Sequence, residues 1–105
     1  MEPRLTYAMA LVLAALAHGY RYGFDIMDVT ALPSGTVYPA LRRLARGGYL
    51  RARWEDQERA HRRGRPARRY YELTGTGRAL AAATRARYPN AALALRPAAG
   101  GHAAR

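Results

Sequence analysis

A chain of 105 residues, half of them hydrophobic, has room for one domain with one modest core and is too apolar to be disordered throughout. All 18 basic residues are arginine; against seven acidic ones they give a formal net charge of +11, which attracts polyanions but specifies no fold. The absence of cysteine excludes disulfides and thiolate metal sites.

His18, His61 and His102 show no ligand spacing, so no metal and no other cofactor is expected. No apolar run approaches the roughly 20 residues that cross a bilayer, so no membrane partner is expected. An Ala- and Arg-rich composition also arises from coding bias, so the placement of the arginines has to carry any functional reading.

In chain order, Leu5 to Ala17 reads as a first helix. Leu5, Met9, Val12, Leu13 and Leu16 form its strong stripe, but Ala8, Leu11, Ala14 and Ala15 make the opposite side apolar too. A helix apolar nearly all round is buried on two sides. In so small a domain the second side is read as facing another chain. The run Ala8 to Ala17 after Arg4 has the outline of a secretory signal peptide. Glu2 and the helical stripe favour a helix of the fold instead.

A short second helix is expected from about Phe24 to Thr30. Ala31-Leu32-Pro33-Ser34-Gly35 then makes a tight turn, with Ser34 placed to cap a third helix. That helix carries Val37, Leu41 and Leu44 at i, i+4, i+7 and stops at Gly47-Gly48. Pro39 fits if this helix begins near Tyr38, or if one backbone bond is forgone.

Tyr49 to Glu55 alternates, with Leu50, Ala52 and Trp54 on one side; Arg68 to Leu73 puts Arg69, Tyr71 and Leu73 on one face. These are the two strands of a hairpin. The polar segment Asp56 to Ala67 between them is read as a loop, and a helix there would overturn the motif assignment outright. Thr74-Gly75-Thr76-Gly77 opens a last helix that Pro89 ends. Residues 1–88 are thus one domain, and residues 89–105, rich in Ala, Pro and Gly, a mobile tail. The order helix-helix-helix-strand-strand-helix, mainly α with a small β-hairpin, is that of a winged helix-turn-helix.

Asp25 to Leu44 is the stretch with functional content. In a helix-turn-helix the second helix lies in the major groove with its N-terminal residues on base edges. Small or hydroxylated residues at its start (Ser34, Gly35, Thr36) allow close backbone approach and expose amides to a phosphate. Arg42 and Arg43 reach phosphates or guanines from further along. A solvated charged face on an ordinary amphipathic helix explains the same residues about equally well. The hairpin tips the balance, because Arg62 to Arg69 holds five arginines in eight positions. A wing lying along a backbone or minor groove accounts for that cluster. No carboxylate pair, nucleophile–base arrangement or phosphate loop suggests an enzyme. Two other classes remain: a nonspecific basic binder of nucleic acid, and a dimeric small-molecule sensor.

Gly23-Phe24-Asp25-Ile26, the run Pro33-Ser34-Gly35-Thr36-Val37-Tyr38-Pro39-Ala40-Leu41-Arg42-Arg43-Leu44, Gly64-Arg65-Pro66 and Tyr70-Tyr71-Glu72-Leu73-Thr74 resemble the PadR family of bacterial transcriptional regulators. The resemblance covers roughly Leu5 to Ala82. It implies a cytoplasmic, homodimeric winged-helix repressor that binds double-stranded DNA at a promoter palindrome. Thr36, Tyr38 and Pro39 would face DNA on the recognition helix, beside Ser34, Gly35, Arg42 and Arg43, and Arg62, Arg63, Arg65 and Arg68 would flank it from the wing. The expected dimer residues are Leu5, Met9, Leu11 and Leu16 of the first helix and Leu80 of the last, with most of the weight on the first because the last helix is alanine-rich. Some relatives bind aromatic compounds between protomers, so the resemblance also admits a small aromatic effector. Trp54, on a strand face with Leu50 and Ala52, is read as a core or wing-packing residue instead.

Overall fold

The computed structural model describes residues 4–96, and His102 lies outside them. Helix α1 (Tyr7–Ala17) starts where the Thr6 side chain accepts a hydrogen bond from the Met9 amide at 3.1 Å. Helix α2 (Gly23–Thr30) closes on Ala31, a non-glycine residue in the left-handed region at φ 61°. Helix α3 (Ser34–Arg46) starts three residues later, which makes the tight turn of a helix-turn-helix. The expectation that Ser34 caps α3 is corrected. Pro33 is the cap residue, no side chain caps the helix, and the Thr36 and Val37 amides both donate to the Pro33 carbonyl. Pro39 lies inside α3 and takes away one donor, the one that would meet the Gly35 carbonyl. Gly35 is exposed, so water can serve that carbonyl.

Strands β1 (Leu50–Trp54) and β2 (Arg69–Leu73) pair antiparallel, with Leu50 opposite Leu73 and Trp54 opposite Arg69. The connection is not all loop. Its first half is helix α4 (Gln57–Arg62), capped by the Asp56 carboxylate on the Glu58 amide at 2.9 Å. The expectation that a helix here would overturn the winged-helix assignment is therefore wrong. Six residues make under two turns, and these fit within the connection while both strands keep their register. Helix α5 (Gly75–Arg87) begins at Thr74, whose hydroxyl accepts from the Gly77 amide and donates to the Gly48 carbonyl.

The core is built round α1. Met9, Val12, Leu13, Ala15 and Leu16 meet Ile26 and Val29 of α2, Val37, Ala40, Leu41 and Leu44 of α3, and Leu50 of β1. The hairpin covers this core from its Leu50–Leu73 end. Trp54, at the far end, is 65% exposed, so the core-packing role expected from its alternation with Leu50 and Ala52 is corrected.

Residues 89–96 also depart from the expected mobile tail. After Pro89 the chain turns back through a 3₁₀ turn (Ala92–Ala94) and lies on the second apolar side of α1. Ala91 is 3% exposed and packs with Ala10 and Leu11, while Tyr88 and Leu95 close over them. The Tyr88 hydroxyl donates to the Leu5 carbonyl, and the Arg96 amide and guanidinium donate to the Val29 and Asp28 carbonyls. The surface read as facing a second chain is thus occupied by this chain's own residues.

Candidate nucleic-acid interface

The period of α3 divides its residues cleanly. Val37, Ala40, Leu41 and Leu44 are buried. Opposite them, Gly35, Pro39, Arg42 and Arg46 follow one another at i, i+4, i+7, i+11, so they form one outward stripe. Ser34, Gly35, Thr36, Arg42 and Arg43 line the helix with Arg46 as its accessible positions, and Pro39 stands among them. None of the three arginines forms an ion pair among the described residues. Arg46 belongs to this stripe as fully as Arg42 does, and the 3.6-residue period alone could have included it. Tyr38 is part exposed and part packed. It is 37% exposed, and its ring lies so close to Gly23 that a Cβ there would overlap it. The ring therefore fastens α3 to the first residue of α2.

The wing arginines separate into two sets. Arg62, in the last turn of α4, and Arg63, its cap, are exposed and carry no ion pair among the described residues; Arg59 stands one turn earlier. Arg65 and Arg68 are already engaged. Arg65 directs both terminal nitrogens of its fork at the two oxygens of Glu55. The Arg68 amide donates to Glu55 Oε1 at 2.9 Å, its Nε lies 3.6 Å from the same oxygen, and its guanidinium covers the Tyr22 ring at 4.2 Å. Tyr22, the cap residue of α2, donates its hydroxyl to Glu55 Oε2 at 2.9 Å. Sequence reasoning places Arg65 and Arg68 on DNA and sees Glu55, like Asp56 and Glu58, only as an acidic residue near the cluster, without a partner assigned. The pairing depends on hairpin register, which brings together residues ten to thirteen positions apart.

Other basic groups on the hairpin are also matched. Arg53 pairs with Glu72 at 2.8 Å, and Arg69 lies over Trp54 at 5.8 Å. The Arg65 fork, then the Arg68 amide and the Tyr22 hydroxyl, hold the Glu55 carboxyl well below the usual carboxylate range, against an opposing effect of desolvation. Burial, followed by the bond to Glu55, pushes the Tyr22 phenol up. A carboxylate with a depressed folded-state pKa contributes stability that is complete above its unfolded value, near 4.5, and is lost as pH falls below that value. Thermal melts should therefore show Tm declining as pH drops below about 5, with a shallower decline in Glu55→Gln. Parallel pH profiles for the two proteins would remove Glu55 from this role.

The dimer residues expected on α1 are placed differently. Met9, Leu11 and Leu16 are buried within the chain, and Leu5 and Leu80 are half-buried. The cause for Leu11 is the return of residues 88–95 over α1, and for Met9 and Leu16 the core itself. Among the described residues, no three His, Cys, Asp or Glu side chains gather as a metal site, and no helix is long and apolar enough to cross a membrane.

Comparison with solved structures agrees with this architecture. A PadR family transcription regulator from Clostridium difficile R20291 superposes with a TM-score of 0.67 at 21% identity, over 80% of this chain and 88% of that one. A PadR-like transcription factor from Bacteroides fragilis gives 0.62 at 25% identity, over 78% and 80%. A transcriptional regulator from Clostridium thermocellum gives 0.61 at 20% identity, over 79% and 81%. No curated protein matches the chain in sequence. The sequence model described as "Transcriptional regulator PadR-like family" matches residues 12–83, well over half the chain. The α2–turn–α3 unit and the β1–β2 wing both fall in that span, and the chain belongs to the PadR-like family of transcriptional regulators.

Proposed function

We propose that the protein is a cytoplasmic transcriptional repressor that binds double-stranded DNA as a two-fold homodimer, at a pseudo-palindrome with half-sites about one helical turn apart. The observation that carries this reading is the outward stripe of α3, Gly35, Pro39, Arg42 and Arg46, whose two arginines have no ion pair among the described residues. Ser34, Gly35 and Thr36 open the same helix, where the amides of the exposed Ser34 and Gly35 suit a phosphate and close backbone approach is possible. Arg42, Arg43 and Arg46 supply charge and bidentate donors to bases or phosphates. Arg62 and Arg63 add phosphate contacts from the wing, while Arg65 and Arg68 build the wing itself.

The proposed homodimer would make its contacts beside the covered face of α1. There Leu93 is 82% exposed and Leu5 is half-buried. An open cleft of about 370 Å³, lined by Leu16, Arg21, Tyr71, Leu73, Arg78 and Arg85 among others, lies between α1, β2 and α5. Trp54 is not part of it and offers an aromatic effector no stacking surface there.

The large arginine excess favours a second reading, a nonspecific basic binder of nucleic acid held by counterion release alone. Selection of bound fragments from random duplex DNA with the purified protein separates the two. The repressor reading expects an enriched two-fold sequence, and indiscriminate retention of the pool favours the nonspecific binder.

A further inference from the structure

Two contacts meet at the start of α2. On one side, the Tyr22 hydroxyl bonds Glu55, which also holds the Arg65 fork and the Arg68 amide. On the other, the next residue, Gly23, carries the Tyr38 ring of α3 in close contact. The wing and the recognition helix are therefore linked through two consecutive residues. A backbone bond reinforces the joint, with the Tyr71 amide of β2 donating to the Arg21 carbonyl at 2.9 Å.

We propose that Glu55 is a positioning residue for DNA recognition: it ties the wing to the N-terminus of α2 and so fixes Arg62 and Arg63 at a set offset from α3. This rests on the DNA-binding reading above. Four features of the site support it. Glu55 is the acceptor for partners on both sides of the wing, with Arg65 and Arg68 on the returning strand side and Tyr22 outside the hairpin. Its side chain is only 14% exposed, so these bonds compete weakly with water. The Arg65 fork is bidentate, which fixes direction as well as distance. Ala60, buried in the middle of α4, receives the Arg65 amide on its carbonyl, so the same arginine also fixes the short helix that presents Arg62 and Arg63.

Simple charge and a lost strut predict different signs for one of two variants. Glu55→Gln adds one unit of positive charge to an already basic protein, and Arg65→Gln removes one. Coulomb attraction to DNA alone makes the first variant bind more tightly and the second more weakly. Loss of the strut makes both bind more weakly.

The test uses the full chain and the duplex recovered by selection, with a scrambled duplex beside it. Both variants should lose affinity for the selected duplex by about tenfold at 0.1 M salt, the worth of about one phosphate contact. Tighter binding by Glu55→Gln, or unchanged binding, overturns the proposal. A measurement without DNA accompanies it, the rate at which trypsin cleaves after Arg62 and Arg63 at a temperature where circular dichroism shows the protein folded. Faster cleavage in the variants supports a released wing, and an unchanged rate overturns the strut. Should Glu55→Gln fail to fold, Arg65→Gln decides through the same cleavage measurement. If the wild type itself does not distinguish the two duplexes, the DNA-regulator reading fails, and cleavage still judges the strut.

Discussion

Gly77→Ala should lower the melting temperature by about 15 °C, equivalent to roughly 2–4 kcal/mol in a domain of this size. Gly77 is buried in the first turn of α5, and a Cβ built on it runs into the Tyr49 carbonyl oxygen while also reaching Leu73 Cδ2 at 3.1 Å. The obstacle is backbone, which has no rotamer to move into. Tyr49 cannot shift freely either, since its amide bonds the Leu44 carbonyl and its carbonyl accepts from Thr74. The methyl group would therefore pry α5 from the junction between α3 and β1. Gly35→Ala is the matched control. It lies in a helix with nothing within 4 Å of a Cβ, so the gain in helix propensity should leave the protein as stable or more stable by about 0.5–1 kcal/mol. Equal melting temperatures for the two variants would show that α5 does not approach Tyr49 as closely as described.

The second large effect concerns binding. Replacing both Arg62 and Arg63 by alanine should weaken binding to every duplex alike and reduce the slope of log K against log salt by about 1.8, since each phosphate neutralised contributes about 0.9. At 0.1 M salt that corresponds to a loss of roughly fifty- to a hundredfold. Both side chains are exposed, neither is in an ion pair among the described residues, and both lie in the short helix α4 and its cap, so the fold should not change. A salt slope equal to the wild type's would place the wing outside the interface. On the proposed reading the wing contributes affinity, and α3 contributes choice between sequences.

The range of each interaction decides whether it is legible in the residues alone. Val37, Leu41 and Leu44 declare α3 because helical period is local information, and the same period orients Arg42 outward. Thr74 declares the start of α5 in the same way, by a cap three residues from its donor. Helix α4 leaves no such trace. It is six residues long with only Ala60 buried, too short for an apolar stripe, and Asp56 as a cap is the one local signal.

Trp54 misleads because alternation reports which face a strand residue takes, not whether the core extends that far. The two free and two engaged arginines of the wing look alike in sequence. What separates them is Glu55, brought within reach by the pairing of β1 with β2. The all-round apolar surface of α1 correctly signals a need for two partners. Which partner covers the second side depends on the chain turning back after Pro89, so that a few small residues, Ala91 among them, close a surface that composition alone leaves open.

The most direct test of the central claim, that α3 reads DNA sequence, is to run the random-duplex selection with wild type and with Arg42→Ala in parallel. The account predicts a two-fold consensus for the wild type and, for the variant, the same consensus with preference relaxed at one symmetric pair of positions, at a discrimination cost of about 1–3 kcal/mol there. An identical consensus from both proteins, or none from either, would contradict it.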